Sequence, residues 1–165
     1  MERAIATVFG LGNLKPASGT WASAVAILIG YGIYYMGSFP LLALSTVIVI
    51  LLGFWSVERY TAVLADKDPS EVVIDEVAGQ WIALCFTTFA FWYKGFPTNY
   101  LPYPAWLAPF IFFRIFDIWK PWMIGRADRR GDAKGVMLDD IWAGFFAGVA
   151  CIIAAGIYHG IMLRG

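Results

Sequence analysis

The chain has 165 residues, enough for one domain, and is 60% hydrophobic, 18% aromatic and only 15% charged, a balance far from that of soluble globular proteins. Lys plus Arg and Asp plus Glu both total 12, so the net charge is zero, and neither a general nucleic-acid binder nor a disordered acidic tail fits. Residues 16–57, 77–93, 95–113 and 141–163 contain no formal charge, which crowds every Asp, Glu, Lys and Arg into the short stretches between them.

The start of the chain, with the brief apolar stretch Ala4–Leu14, is too short and lacks the small-residue site of a secretory signal; it reads as an N-terminal interfacial segment. A membrane-crossing helix needs about 20 apolar residues to span about 30 Å of hydrocarbon. The run 16–57 therefore has room for two crossings, about Trp21–Met36 and about Leu41–Val57, parted by the turn-forming Gly37-Ser38-Phe39-Pro40. Further crossings are expected at about Val77–Tyr93, Ala105–Trp119 and Ile141–Met162, with Tyr60–Ile74 and Pro121–Leu138 as loops. The expected fold is all-α: a polytopic membrane helix bundle of about five transmembrane helices in a single domain over 1–165. Four crossings plus a re-entrant segment is the alternative, because runs as short as the fourth also occur as buried or re-entrant pieces.

Lys and Arg accumulate on the cytoplasmic side of membrane proteins. With the N-terminus inside, only Lys94 and Arg164 fall outside, and all 12 carboxylates fall inside, which the charge rule does not demand. One face of the molecule is chemically equipped. Cys85 and Cys151 lie inside expected crossings with no paired spacing for zinc or redox chemistry, and read as packing residues.

Three polar patches lie where inner loops meet crossings. In the first, Lys15-Pro16-Ala17-Ser18-Gly19-Thr20, Ser18 or Thr20 is placed to cap the first crossing, and the free N–H groups of its opening turn, with Lys15 near, would form an anion site. An ordinary N-cap is the simpler reading. The second is Asp75-Glu76, with Gly79 four residues on, where a missing side chain permits close approach of a helix or ligand; acids that merely complement a helix dipole explain it equally. In the third, Arg114, Asp117 and Lys120 recur every three residues and present plus, minus, plus on one helix end. It is joined by Asp139-Asp140, with Asp140, Gly144 and Gly148 forming a stripe that faces other helices. Like charges at a low-dielectric boundary repel unless a cation sits among them, and hard oxygen ligands suit Mg²⁺. Asp75, Glu76, Asp117, Asp139 and Asp140 are the metal candidates; Lys120, Arg114, Lys15 and the Gly19 turn supply the anion-binding half.

These residues resemble the phosphatidylglycerophosphatase A family. The matching stretches are Ala17-Ser18-Gly19-Thr20, Ile74-Asp75-Glu76-Val77-Ala78-Gly79-Gln80-Trp81, Phe113-Arg114-Ile115-Phe116-Asp117-Ile118-Trp119-Lys120-Pro121-Trp122, and Gly135-Val136-Met137-Leu138-Asp139-Asp140-Ile141-Trp142-Ala143-Gly144, in the family's order from about Gly10 to Gly148. Ser18 stands where members usually carry Pro, and Ala22 where Gly is common. The resemblance implies a Mg²⁺-dependent phosphatase of the bacterial inner membrane, with a cytoplasmic active face and phosphatidylglycerophosphate as its lipid substrate. Homo-oligomerisation is left open, and no nucleic-acid partner is expected.

In that setting Asp75, Glu76, Asp139 and Asp140 are the expected metal ligands and Lys15, Ser18, Gly19 and Thr20 the substrate-binding turn. Asp117, Lys120 and Arg114 form the expected catalytic group, Asp117 as a further ligand or as the base. A carboxylate attacking phosphorus is a second route. Phosphocysteine and phosphohistidine routes are disfavoured, since both thiols sit in apolar helices and the lone His159 falls on the outer side. Another lipid-headgroup enzyme, or a small transporter with charges lining a path, are the competing functions. A path would carry polar groups to the far leaflet, which here is apolar and aromatic.

Overall fold

The computed structural model describes residues 1–162, all helix or loop, with no strand among the described residues. Seven short and long helical pieces follow in order: α1 (Glu2–Ala6), a 3-10 turn (Leu11–Asn13), α2 (Ser18–Ala62), α3 (Ile74–Tyr93), α4 (Tyr103–Trp119), α5 (Trp122–Asp128) and α6 (Ala133–Met162). Helices stand at all five expected crossings. Two of them, α2 and residues Ala133–Ile161 of α6, are long and apolar enough to cross a membrane. Arg164, expected on the outer side, lies outside the described residues.

At 45 residues, a straight α2 would run about 68 Å, twice the hydrocarbon of a bilayer. It does not run straight. Gly37 (φ −139°, ψ 16°) and Ser38 (φ 60°, ψ −168°) leave helical geometry, and neighbours along α3 show that the chain reverses there. On the first arm the Ala26 carbonyl accepts from Trp81 Nε1 at 2.7 Å and Gly30 meets Leu84, and just past the turn Phe39 reaches Phe89 with ring centres 5.1 Å apart. Thr46 then meets Cys85 Sγ at 3.5 Å, and Gly53 sits against Ile74. The first arm thus runs parallel to α3 and the second runs back along it. The turn is tighter than the expected four residues, since Phe39 and Pro40 already belong to the second arm, where a proline in the opening turn forfeits no hydrogen bond.

α3 and α6 run parallel and cross at glycine. A Cβ on Gly79 would meet the Asp140 carbonyl and Phe113, and one on Gly144 would meet the Gly79 carbonyl, so both positions must lack a side chain for the two backbones to approach. α4 runs the other way, with Phe113 beside Gly79 and Ala105 in the core formed by Tyr34, Leu42 and Leu84. The loop 63–73, the end of α4, α5 and the starts of α2, α3 and α6 consequently meet at one end of the bundle. That is where all 12 carboxylates lie. At the other end Phe39, Phe89, Trp92, Phe91, Phe96 and Tyr100 pack ring to ring.

Two sequence expectations are corrected here. Pro121–Leu138 is not one loop, because it contains α5 and the first turns of α6; the charges at 126–134 fall in the last turn of α5, the short link after it and the first turn of α6. Neither Ser18 nor Thr20 caps α2: its N-cap is Ala17, in left-handed geometry with φ 63°, and no side chain caps the turn.

Candidate active site

An open cavity of about 230 Å³ occupies the charged end, lined by Ser18, Asp68, Ser70, Val72, Asp75, Glu76, Asp117, Lys120, Val136, Asp139 and Asp140. The local fold explains how acids reach it from separate elements. On α3, Asp75 Oδ1 accepts the Glu76 N–H at 3.0 Å; on α6, Asp139 Oδ1 accepts the Asp140 N–H at 3.0 Å. The two acid pairs are held alike, and the Gly79–Gly144 crossing one turn away brings their helices together. Asp75, Glu76 and Asp140 each offer an oxygen within 4.8 Å of the others. Asp75 and Asp140 are only 7% and 3% exposed, and charged groups are rarely so buried without a partner. Glu76 Oε2 is buried and has no hydrogen-bond partner. Oxygen atoms so crowded, one of them without a hydrogen-bond partner, could hold a hard divalent cation.

Asp139, expected as a fourth ligand, lies outside that close group and is tied to Lys120, whose Nζ donates to its Oδ2 at 2.9 Å. The same ammonium donates to Asp128. Burial works against the charge on Lys120, but the two carboxylates outweigh it and raise its pKa above that of an ordinary lysine. Lys120 closes α4 in left-handed geometry, φ 49° and ψ 51°, which costs an L-residue about 1–2 kcal/mol, and Pro121 prevents the helix from continuing. The strained residue is the one whose ammonium enters the cavity.

Arg114 does not line the cavity. Its Nη1 pairs with Asp117 Oδ2 at 2.8 Å and donates to Ser23 Oγ at 3.4 Å, which places it behind Asp117, between α4 and the first arm of α2. Gly19 is also behind the lining: a Cβ there would strike Glu76 Oε1 and come within 3.4 Å of Arg114 Nη1. Lys15 and Thr20 are exposed and do not line the cavity. Of the expected anion-binding turn only Ser18 does so, and its hydroxyl donates to the Ser70 carbonyl at 2.7 Å.

Sequence reading missed Asp68, Ser70 and Asp128. The first two reach the rim because Lys67 Nζ ties the loop to the carbonyls of Thr61 at 2.7 Å and Leu64 at 2.6 Å, and Tyr60 donates to Glu71 at 3.0 Å. Their signal was the Asp66-x-Asp68-x-Ser70 spacing just before Asp75, where Asp66 Oδ1 accepts the Asp68 N–H at 2.9 Å in an Asx turn.

A family model described as phosphatidylglycerophosphatase A matches residues 4–155. An Escherichia coli protein named phosphatidylglycerophosphatase A is 32% identical, over 94% of this chain and 80% of its own length. A Haemophilus influenzae protein of the same name is 30% identical over 87% and 82%. A Bacteroides thetaiotaomicron protein, provisionally named a phosphatidylinositol-3-phosphatase, is 32% identical over 91% of each chain. No solved structure matches the chain.

Proposed function

This chain belongs to the phosphatidylglycerophosphatase A family, and we propose that it hydrolyses the terminal phosphate of phosphatidylglycerophosphate, with Mg²⁺ in the acidic cavity and that cavity on the cytoplasmic side of a bacterial inner membrane. Membership makes it a phosphatase of phospholipid metabolism. The observation that carries the finer reading is the cavity's charge. Six carboxylates line it, from Asp68 to Asp140, against one cationic side chain, Lys120. A phosphate dianion would be repelled from such a cavity unless a cation offsets the acids. Asp75, Glu76 and Asp140 would hold that ion. When bound, Mg²⁺ supplies neutralisation of the phosphoryl oxygens, the dominant need in hydrolysis of a phosphate monoester.

The chain's own residues do the rest. Lys120 binds a non-bridging oxygen, exchanging part of its hold on Asp128 and Asp139 for the substrate. The backbone N–H of Ser18, which opens α2 at the cavity wall, adds a neutral donor. Asp117 accepts the proton of the attacking water as the new P–O bond forms. The bond from phosphorus to the glycerol oxygen breaks, and that oxygen takes a proton from solvent at the open rim. Arg114 is a positioning residue in this scheme, because its ion pair orients Asp117 from behind. The lipid's acyl chains stay beside outward-facing Leu28, Leu44, Leu51 and Ile153, all exposed, which together with helices at the five expected positions favours a multi-pass arrangement.

The inositol-lipid name of one relative favours a second reading in which the same chemistry acts on a 3-phosphoinositide. Phosphate release from phosphatidylglycerophosphate in mixed micelles, with Mg²⁺ or with chelator, against phosphatidylinositol 3-phosphate as the competing lipid, decides between them. We expect Mg²⁺-dependent release from the first lipid. Release from the inositol lipid alone transfers the substrate assignment, and ion flux in vesicles without any release defeats both.

A further inference from the structure

Behind the cavity lies a second polar layer that the chemistry above does not use. Gln80 is completely buried, and neither atom of its amide has a hydrogen-bond partner. Glu76 Oε2 and Arg114 Nε are likewise buried and unpartnered. The three residues converge. Glu76 and Gln80 are one turn apart on the same face of α3. Gly19 lies against Glu76 and Gly30 against Leu84, so Gln80, midway between, comes level with the stretch of α2 containing Ser23, whose hydroxyl accepts from Arg114. From the other side Phe113 touches Gly79, which sets the adjacent Arg114 at the same height.

The donors and acceptors match. Arg114 Nε can only donate, Glu76 Oε2 as a carboxylate can only accept, and a glutamine amide offers one group of each kind. Buried polar atoms are almost always satisfied by protein or by ordered water, and an amide left unsatisfied destabilises the fold. Leucine or methionine at this depth would avoid that cost.

We infer that Gln80 is a positioning residue: through internal water it links the orphaned Arg114 Nε to the orphaned Glu76 carboxylate, and so holds Glu76 aimed at Asp75 and Asp140. This rests on the cation reading above. Outer partners of metal ligands set ligand geometry, and their loss weakens metal binding about 10–100-fold.

The test uses the full chain in detergent, with Mn²⁺ as the probe and loss of the free-ion paramagnetic signal as the readout, which needs no turnover. Gln80→Met should weaken Mn²⁺ binding at least about tenfold with the melting temperature unchanged or raised, since a buried amide has been replaced by an apolar chain of similar size. Gln80→Asn keeps both amide groups and leaves room for a further water, and should restore most of the affinity. Native affinity in Gln80→Met overturns the inference. A crystal structure of the metal-free chain that resolves ordered water supplies an independent arm: water between the Gln80 amide, Arg114 Nε and Glu76 is expected, and a dry layer overturns the inference even where Mn²⁺ binds. Failure of the native chain to bind Mn²⁺, with water present in that layer, strikes the cation reading and removes the role assigned to Gln80 with it.

Discussion

At one end of the bundle the helices meet through Arg114 on Ser23, Lys120 on Asp139, and the close group of Asp75, Glu76 and Asp140; at the other, Phe39 of α2 packs on Phe89 of α3 and Phe91 of α3 on Phe96 of the loop that follows, with ring centres 5.1 and 5.5 Å apart. The same α2 and α3 serve both ends. Ring pairs tolerate sliding, because each contributes about 0.5–1.5 kcal/mol over a range of angles and distances. Ion pairs and converging carboxylates do not, since an oxygen moved by one helical step faces a different neighbour. The glycine crossing of α3 and α6 therefore belongs functionally to the charged end, where register matters, although its contacts are all backbone and carbon.

The contrast can be broken hardest at Asp140. Asp140→Asn should lower phosphate release at least about a hundredfold, the scale of losing one electrostatic element of a transition-state site, while the protein inserts and melts as before. Asp139→Asn, which loosens Lys120 but leaves the close carboxylate group intact, should cost distinctly less; equal losses would return Asp139 to the ligand set. Lys120→Met comes next, with kcat/KM expected to fall about tenfold or more and Lys120→Arg recovering part of it. It should also lower the melting temperature, since Asp139 is left buried without its cation.

Gly144→Val tests register by packing alone. A branched side chain against the Gly79 carbonyl should cost about 1–3 kcal/mol of stability, and activity should fall with it, whereas Gly156→Val, which meets open space, should shift stability by less than about 0.5 kcal/mol. Loss of activity in both would show that the glycine crossing carries no special role. The smallest effect is expected from His159→Ala, exposed on the far part of α6, whose phosphate release should match the native rate.

How much was legible in the sequence follows the same division. Charge-free runs located every long helix, because burial in an apolar medium demands them, and the reversal at Gly37-Ser38 was readable from its turn residues. Helix starts were less so: α3 begins at Ile74 and α6 at Ala133, whereas the apolar pattern begins at Val77 and Ile141, because acids in the site occupy helical turns that hydropathy reads as loop. Asp75, Glu76 and Asp140 stand among the five acids read as ligand candidates, because like charges crowded at a low-dielectric boundary call for a cation, although the helix dipole explains the α3 pair as well. Arg114 and Lys15 were misplaced relative to the cavity, since a linear pattern shows that two charges share a helix end but not which one faces inward. Asp68 leaves a trace only in the Asx spacing from Asp66, and Asp128 depends on how Lys120 closes α4, which no local spacing records.

Lys120 carries one further consequence. A left-handed position at a helix end is where glycine is the easiest residue for the backbone, so chains selected only for thermal endurance should drift to glycine there, and chains selected for turnover should not. Parallel evolution under the two regimes would turn that single codon into a gauge of how much the ammonium contributes to the reaction, measured against a conformational handicap of known size.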